Sequence, residues 1–364
     1  MSRLAHRYDV GGIVAVASQV RLPELEYFRT EHCPAPDLEV RAGVVGGAAP
    51  RARVTLAREG RSVTWREHLG GLVANFEVDF GDPVRLRVSP VLARSPHVVY
   101  TNLVEPLLRF LLVLRDRVLL HGATIELGGR TVTLSARTDT GKTSTVLSLL
   151  QSHPGVFFSD DMVIVAADGS LRPYPKPLTI SAHTVHATPR NRLGLGARLA
   201  LPAQSRLHSR MGRGVGRRLG EMNLPIMAMN AIVQALCPPP KYPVTELVDC
   251  ELGTATRLEH VFVIERGPVP EVTVIPPGLA ADVLLENTED AYGFPPYASL
   301  APCISLGHHR IQELRRRERE IVSSALAGRP VLRVVASGYD WQRTIEGCIG
   351  LAASTLEPSA AAVD

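Results

Sequence analysis

Only three of the 40 basic residues in this 364-residue chain are lysines: Lys142, Lys176 and Lys241. Arginine serves wherever a diffuse positive charge suffices, so a retained lysine suggests a site that wants a compact ammonium on a flexible stem. Lys142 lies in SARTDTGKTSTVLSLL, Ser135 to Leu150. The run Ala136-Arg-Thr-Asp-Thr-Gly141-Lys142-Thr143 has the spacing of a phosphate-binding loop, with alanine at its first position. Backbone N–H groups from Thr138 to Thr143 can turn inward on phosphate oxygens, helped by the positive end of the following helix. Gly141 permits close backbone approach, Lys142 reaches the β- and γ-phosphates, and the Thr143 hydroxyl ligates Mg²⁺. The expected nucleotide contacts are therefore Ala136, Thr138, Asp139, Thr140, Gly141, Lys142, Thr143 and Ser144.

A second group lies at Ser159-Asp160-Asp161, just past the strand-like GVFF. In a parallel sheet, the carboxyl end of a strand beside the loop's strand faces the bound ligand. One carboxylate there can hold Mg²⁺ and the other can accept a proton from an attacking hydroxyl. Their mutual repulsion raises the pKa of one, which suits it to base work. His121, followed by Gly122 on the strand that enters this region, is a candidate to orient or charge-tune an aspartate.

These residues need elements to hold them. The first hundred residues read as short strands: GGIVAVASQV, DLEVRAGVV, RARVTLA, SVTWRE, ANFEVDF and VRLRVSP, with Gly, Pro or polar breaks between them. A helix is expected over Asn102 to Arg115, with Leu103, Leu107, Phe110, Leu111 and Leu114 on one face. VLLHGATIEL and RTVTLSA form two β-runs joined by Gly128-Gly129, a hairpin signal. TSTVLSLLQS has helical spacing, and MVIVAADGSL is a strand ending in an Asp-Gly turn. Further on, MNAIVQAL reads as a helix, HVFVIER and VLRVVAS as strands, His308 to Ala327 as a charged, solvated helix, and a last helix starts at Trp341. No internal repeat is found.

The stretch LLHGATIELGGRTVTLSARTDTGKTSTVLSLL followed by FFSDDMVIV resembles the core of the HPr kinase/phosphorylase family and, more loosely, the phosphoenolpyruvate carboxykinases. The likeness covers about Val118 to Ser181 and fades towards Gly267. It extends neither to the N-terminal module nor to the family's second signature, a Glu-Ile-Arg-Gly-type segment tied to dephosphorylation. The resemblance implies an α/β phosphate-loop kinase core with ATP and Mg²⁺. It implies Asp160 as base, Asp161 towards the metal, and His121 in support. The acceptor would be a hydroxyl on a protein or peptide serine or on a small metabolite. The alternative is a nucleotide-binding switch without phosphotransfer.

The expected organisation is a small β-rich domain over 1–100, the kinase domain over 101–355, and a loose tail over 356–364. Within the kinase domain, 189–220 is an Arg/Gly-rich insert or lid. Lys176, between prolines in YPKPLTIS, could neutralise a transferring phosphoryl group or an acidic substrate, or equally be an exposed turn lysine. Arg206, Arg210 and Arg213 of the insert could clamp phosphates or an acidic partner, or equally belong to a solvated loop, whereas Lys241 in PPPKYP reads as an exposed turn lysine. The insert lacks interleaved aromatics, and the net charge of +4 is mild, so nucleic acid is not the expected partner. Five scattered cysteines without a CxxC pair read as reduced, mostly buried thiols. MSRLAHRYDV lacks a leader-like apolar run, and LLRFLLVLRDRVLL is interrupted by Arg109, Arg115 and Arg117 and too short to span a bilayer. The expectation is a cytoplasmic protein without a membrane span, its oligomeric state (homo-oligomer included) left open.

Overall fold

The computed structural model describes residues 3–32, 34–46, 54–69, 72–179, 225–236, 241–293 and 296–351. The insert at 189–220, with Arg206, Arg210 and Arg213, and the tail at 356–364 lie outside the described residues.

The β-runs of the first hundred residues pair into one seven-stranded mixed sheet. Its order is His6–Val10, Val14–Ser18, Leu38–Ala42, Val84–Val88, Phe76–Asp79, Ser62–Arg66 and Thr55–Glu59. Alternation places Val84, Leu86 and Val88 inside and Arg85 and Arg87 outside, the pattern of a half-buried strand. The largest apolar cluster starts on this sheet and runs through Leu103, Leu107 and Phe110 to Val118–Leu120 and Met162–Val165. The β-rich first hundred residues thus share a core with the strands and helix of the next seventy.

The expected Asn102–Arg115 helix is longer and differently buried. It runs from Pro96 to Leu114, is long and apolar enough to cross a membrane by length and composition, and is 78% buried inside the protein. Tyr100–Val104 is a π-helical stretch within it, and Glu105 and Arg109 are buried along with the leucines. The expectation of a stretch too short to span missed that the helix begins well upstream of the leucine run. Its interrupting arginines are absorbed in two ways: Arg109 is paired internally, while Arg115 and Arg117 fall beyond the helix end.

VLLHGATIEL is not a single strand. The chain switches sheets at Gly122: Arg117–His121 pairs antiparallel with Met162–Ala166 in a four-stranded sheet, and Ala123–Leu127 belongs to a second seven-stranded sheet. In that sheet Ala123–Leu127 and Arg130–Ser135 form the expected hairpin, with φ of 55° and 76° at Gly128 and Gly129. Two successive positive φ values define the tight turn that glycine pairs favour. The sheet is mixed, ordered Glu251–Leu252, Gly155–Ser159, Ala123–Leu127, Arg130–Ser135, His260–Arg266, Val331–Ala336, Glu271–Ile275. The strand carrying Asp160-Asp161 is therefore not beside the loop's strand, because antiparallel Ala123–Leu127 separates them. Both still run in the same direction, so their carboxyl ends meet on one side.

The helix Lys142–Ser152 packs Val146, Leu147, Leu149 and Leu150 into a second apolar cluster with Ile125, Leu134, Trp341 and Ile345. The charged helix, Ile311–Ala325, buries Glu318 and so is not wholly solvated. Among the described cysteines none is buried: Cys250 and Cys303 are partly exposed and Cys348 is exposed.

Candidate functional site

Strand, loop and helix succeed one another as Arg130–Ser135, Ala136–Gly141 and Lys142–Ser152. Two backbone features shape the loop. Asp139 has φ of 62° and Gly141 has φ of 133°, both outside ordinary right-handed space. A Cβ on Gly141 would stand 2.8 Å from the Tyr339 ring and 2.9 Å from Trp341, so only glycine fits under this aromatic pair. Arg266, at the end of the neighbouring parallel strand, donates to the Thr140 carbonyl at 2.7 and 2.9 Å and to that of Asp139 at 3.1 Å. Its guanidinium lies over Tyr339 at 4.0 Å. With these carbonyls held by Arg266, the loop is fixed from outside.

The side chains converge as a linked set. Lys142 Nζ donates to His121 Nε2 at 2.8 Å. His121 Nδ1 is 2.9 Å from the Asn287 carbonyl, which can only accept, so the ring proton sits on Nδ1 and Nε2 offers a lone pair. Burial and the adjacent Lys142 charge push the imidazole pKa down and keep it neutral. Asp161 Oδ1 lies 3.2 Å from the same Nε2, a contact the ring converts to a bond only by taking a second proton. Asp161 Oδ2 pairs with Lys176 Nζ, which also donates to the buried Glu105 at 2.7 Å. Thr143 Oγ1 donates to Asp160 Oδ2 at 2.7 Å. Asp160 Oδ1 is buried and has no hydrogen-bond partner among the described residues.

The two adjacent carboxylates live in opposite environments. Burial raises the Asp160 pKa to about 6, and the charge of Asp161 adds to it against the opposing Thr143 bond. At Asp161 burial acts in the same direction, but the Lys176 ammonium, helped by that of Lys142, outweighs it and holds the group well below the usual range. Asp161's side chain also remains 44% open, which keeps its charge partly solvated. Burial lowers the Lys142 pKa against the pull of both aspartates, whereas Lys176, between Asp161 and Glu105, is raised in spite of burial.

The remaining expected residues take different places. Ala136 is buried in the core, and the Thr138 N–H donates to Asp290 Oδ2 at 2.8 Å. Thr140 Oγ1 turns back to the Arg137 carbonyl at 2.7 Å. Ser144, on the first turn of the helix, is partly buried. Lys241 is not an exposed turn lysine: its side chain is 17% exposed and pairs with buried Glu24 beside His97. Each of the three lysines ends in a partly or fully buried charge cluster.

Sequence reading missed Glu105, Arg266 and the helix Pro277–Ala291. One turn of that helix supplies four contacts. The Asn287 carbonyl and Thr288 Oγ1 hold His121, Asn287 Nδ2 reaches Ser135, and Asp290 takes the Thr138 N–H. Arg266 had a signal, its place at the carboxyl end of a strand; the helix had none beyond its own periodicity.

For a metal, the donors on offer are hard oxygens. A Thr143 hydroxyl that gives its proton to Asp160 keeps its lone pairs, and the ionised Asp161 carboxylate is partly open. Among the described residues no cluster of three or more His, Cys, Asp or Glu is arranged around a metal. One or two oxygens fit Mg²⁺ held mainly by phosphates and water, and would not form an all-protein cage.

No protein-family model and no curated protein matches the chain.

Proposed function

We propose that the protein is an ATP-dependent kinase with a phosphate-loop core, passing the γ-phosphoryl group to a hydroxyl of a peptide, protein or small metabolite. The observation that carries this reading is the convergence of Lys142, bonded to His121, with Thr143 and the half-unpaired Asp160 that it bonds, close enough for the Asp160 charge to act on Lys142. Thr143 and Asp161 would hold Mg²⁺, which on binding neutralises charge on the phosphate oxygens. The loop amides and Lys142 would bind and orient the triphosphate. Lys142 is parked on neutral His121, a weak partner that it exchanges for phosphate at little cost. Asp160, with a pKa of about 6, is ionised at neutral pH yet basic enough to take a proton, while Asp161 stays charged as an electrostatic partner. In the transfer the acceptor oxygen bonds to the γ-phosphorus and the bond to the bridging oxygen breaks, leaving ADP. The acceptor proton goes to Asp160 Oδ1.

The test is incubation with Mg-ATP carrying a γ-label in extract from the source cells, followed by isolation of the labelled product. A labelled hydroxyl ester formed by the native chain and absent with Lys142→Ala is the expected result. Label transfer that survives Lys142→Ala removes the assignment.

A further inference from the structure

Asp290 is an acidic residue in a place that disfavours one. It lies in the last turn of the helix Pro277–Ala291, where the exposed carbonyls make the helix end negative and a carboxylate is repelled. What it faces compensates. Its Oδ2 takes the Thr138 N–H at 2.8 Å, and its charge is close enough to stabilise the Lys142 ammonium. Both are groups that a phosphate would use. The carboxylate is not loosely placed either, because the same helical turn is fixed to His121 through Asn287 and Thr288 and to Ser135 through the Asn287 amide.

We infer that Asp290 is an internal competitor for the loop's anion site: its carboxylate stands in for a phosphate oxygen on Thr138 and sets how tightly nucleotide binds. The inference rests on the nucleotide reading of the loop. An incoming triphosphate must take over the Thr138 amide and bear the proximity of a second negative charge. Asp290 thereby lowers affinity and lets bound nucleotide leave, and it restrains the loop when no nucleotide is present. The bond is solvent-accessible, so its effect is that of a modest charge-assisted hydrogen bond plus local repulsion.

The experiment is calorimetric titration of the full chain with Mg-ATP and, separately, inorganic pyrophosphate. The variants are Asp290→Asn, which removes the charge, and Asp290→Ala, which removes the acceptor as well. Glu320→Gln, on an exposed position of the helix Ile311–Ala325, changes net charge equally away from the loop. Both Asp290 variants are expected to bind Mg-ATP about three- to tenfold tighter than the native chain, with Ala at least as tight as Asn and Glu320→Gln within about twofold of native. If the native chain binds and the Asp290 variants bind equally or more weakly, Asp290 is no competitor and the inference falls while the nucleotide reading stands. If Glu320→Gln tightens binding as much as they do, general charge is responsible and the inference falls likewise. If no form binds either ligand, the nucleotide reading has failed and takes this inference with it. Circular dichroism on each variant keeps loss of fold from being scored as loss of binding.

Discussion

Two buried charge clusters in this protein use the same chemical groups to opposite ends. Arg109, 1% exposed, donates to both oxygens of Glu318 at 2.7 and 2.8 Å, to Glu289 at 2.8 Å and to the Tyr297 hydroxyl at 3.2 Å. It also lies 5.0 Å from the Phe110 and Tyr292 rings. Both oxygens of Glu318 are taken, so the buried charge of this pair is fully bonded. Around Lys142 the ammonium rests on a neutral imidazole, one Asp160 oxygen is unpaired, and Asp161 is open to solvent on one side. Burial of charge is therefore no sign of function by itself. The sign is a set of charges whose bonding is incomplete.

Breaking each cluster should separate these roles. Removing Arg109 strands Glu318 in the core, and Arg109→Ala is expected to cost about 3–5 kcal/mol in chemical unfolding. The paired replacement Arg109→Met with Glu318→Leu should lose much less, since no unpaired charge remains. A paired variant as unstable as the single one would show that the cluster does more than satisfy itself.

A second break sharpens the other side. Lys176 lowers the pKa of both aspartates, so Lys176→Met should raise them. The acid limb of kcat/KM for phosphotransfer, expected near pH 6 with activity rising as Asp160 ionises, should move upward by about one pH unit. An unmoved limb would mean that the titrating base is not next to Lys176.

The smallest effect is on stability, and its sign runs against intuition. Asp160 holds its proton more tightly in the folded chain, at about 6 against 3.8. The folded state therefore loses stability as pH rises from about 4 through 6, and the loss is complete at neutral pH. Asp160→Asn should accordingly be about 1–2 kcal/mol more stable than the native chain at pH 7, and no more stable at pH 4. Thermal unfolding at the two pH values measures this, and an Asn variant less stable at pH 7 would contradict the orphaned-carboxylate description.

The parts of this site that are contiguous in the chain were the parts legible in its sequence. Strand, loop, Gly141 and helix are read from spacing, and the Gly128-Gly129 hairpin from turn chemistry. The Asp-Asp pair was findable because it closes a short β-run. The scarcity of lysine singled out three residues that all prove to be in charge clusters, although Lys241, and as an alternative Lys176, read as surface turns because Glu24 and Glu105 are so distant in sequence. What stayed hidden depends on tertiary contact. No local window can reveal that Glu105, on an all-round buried helix, restrains Lys176, or that Asn287 fixes the tautomer of His121. Interposition of Ala123–Leu127 between the two site strands was likewise invisible, because strand order is decided by sheet pairing and not by periodicity.

The central claim is that Asp160 moves the acceptor proton at a nucleotide held by Lys142. Single-turnover transfer of γ-label from pre-bound Mg-ATP, compared between the native chain and Asp160→Asn, tests it most directly. The account predicts equal nucleotide binding and a transfer rate lower by about 10²- to 10⁴-fold in the variant. Equal binding with an unchanged transfer rate would contradict it.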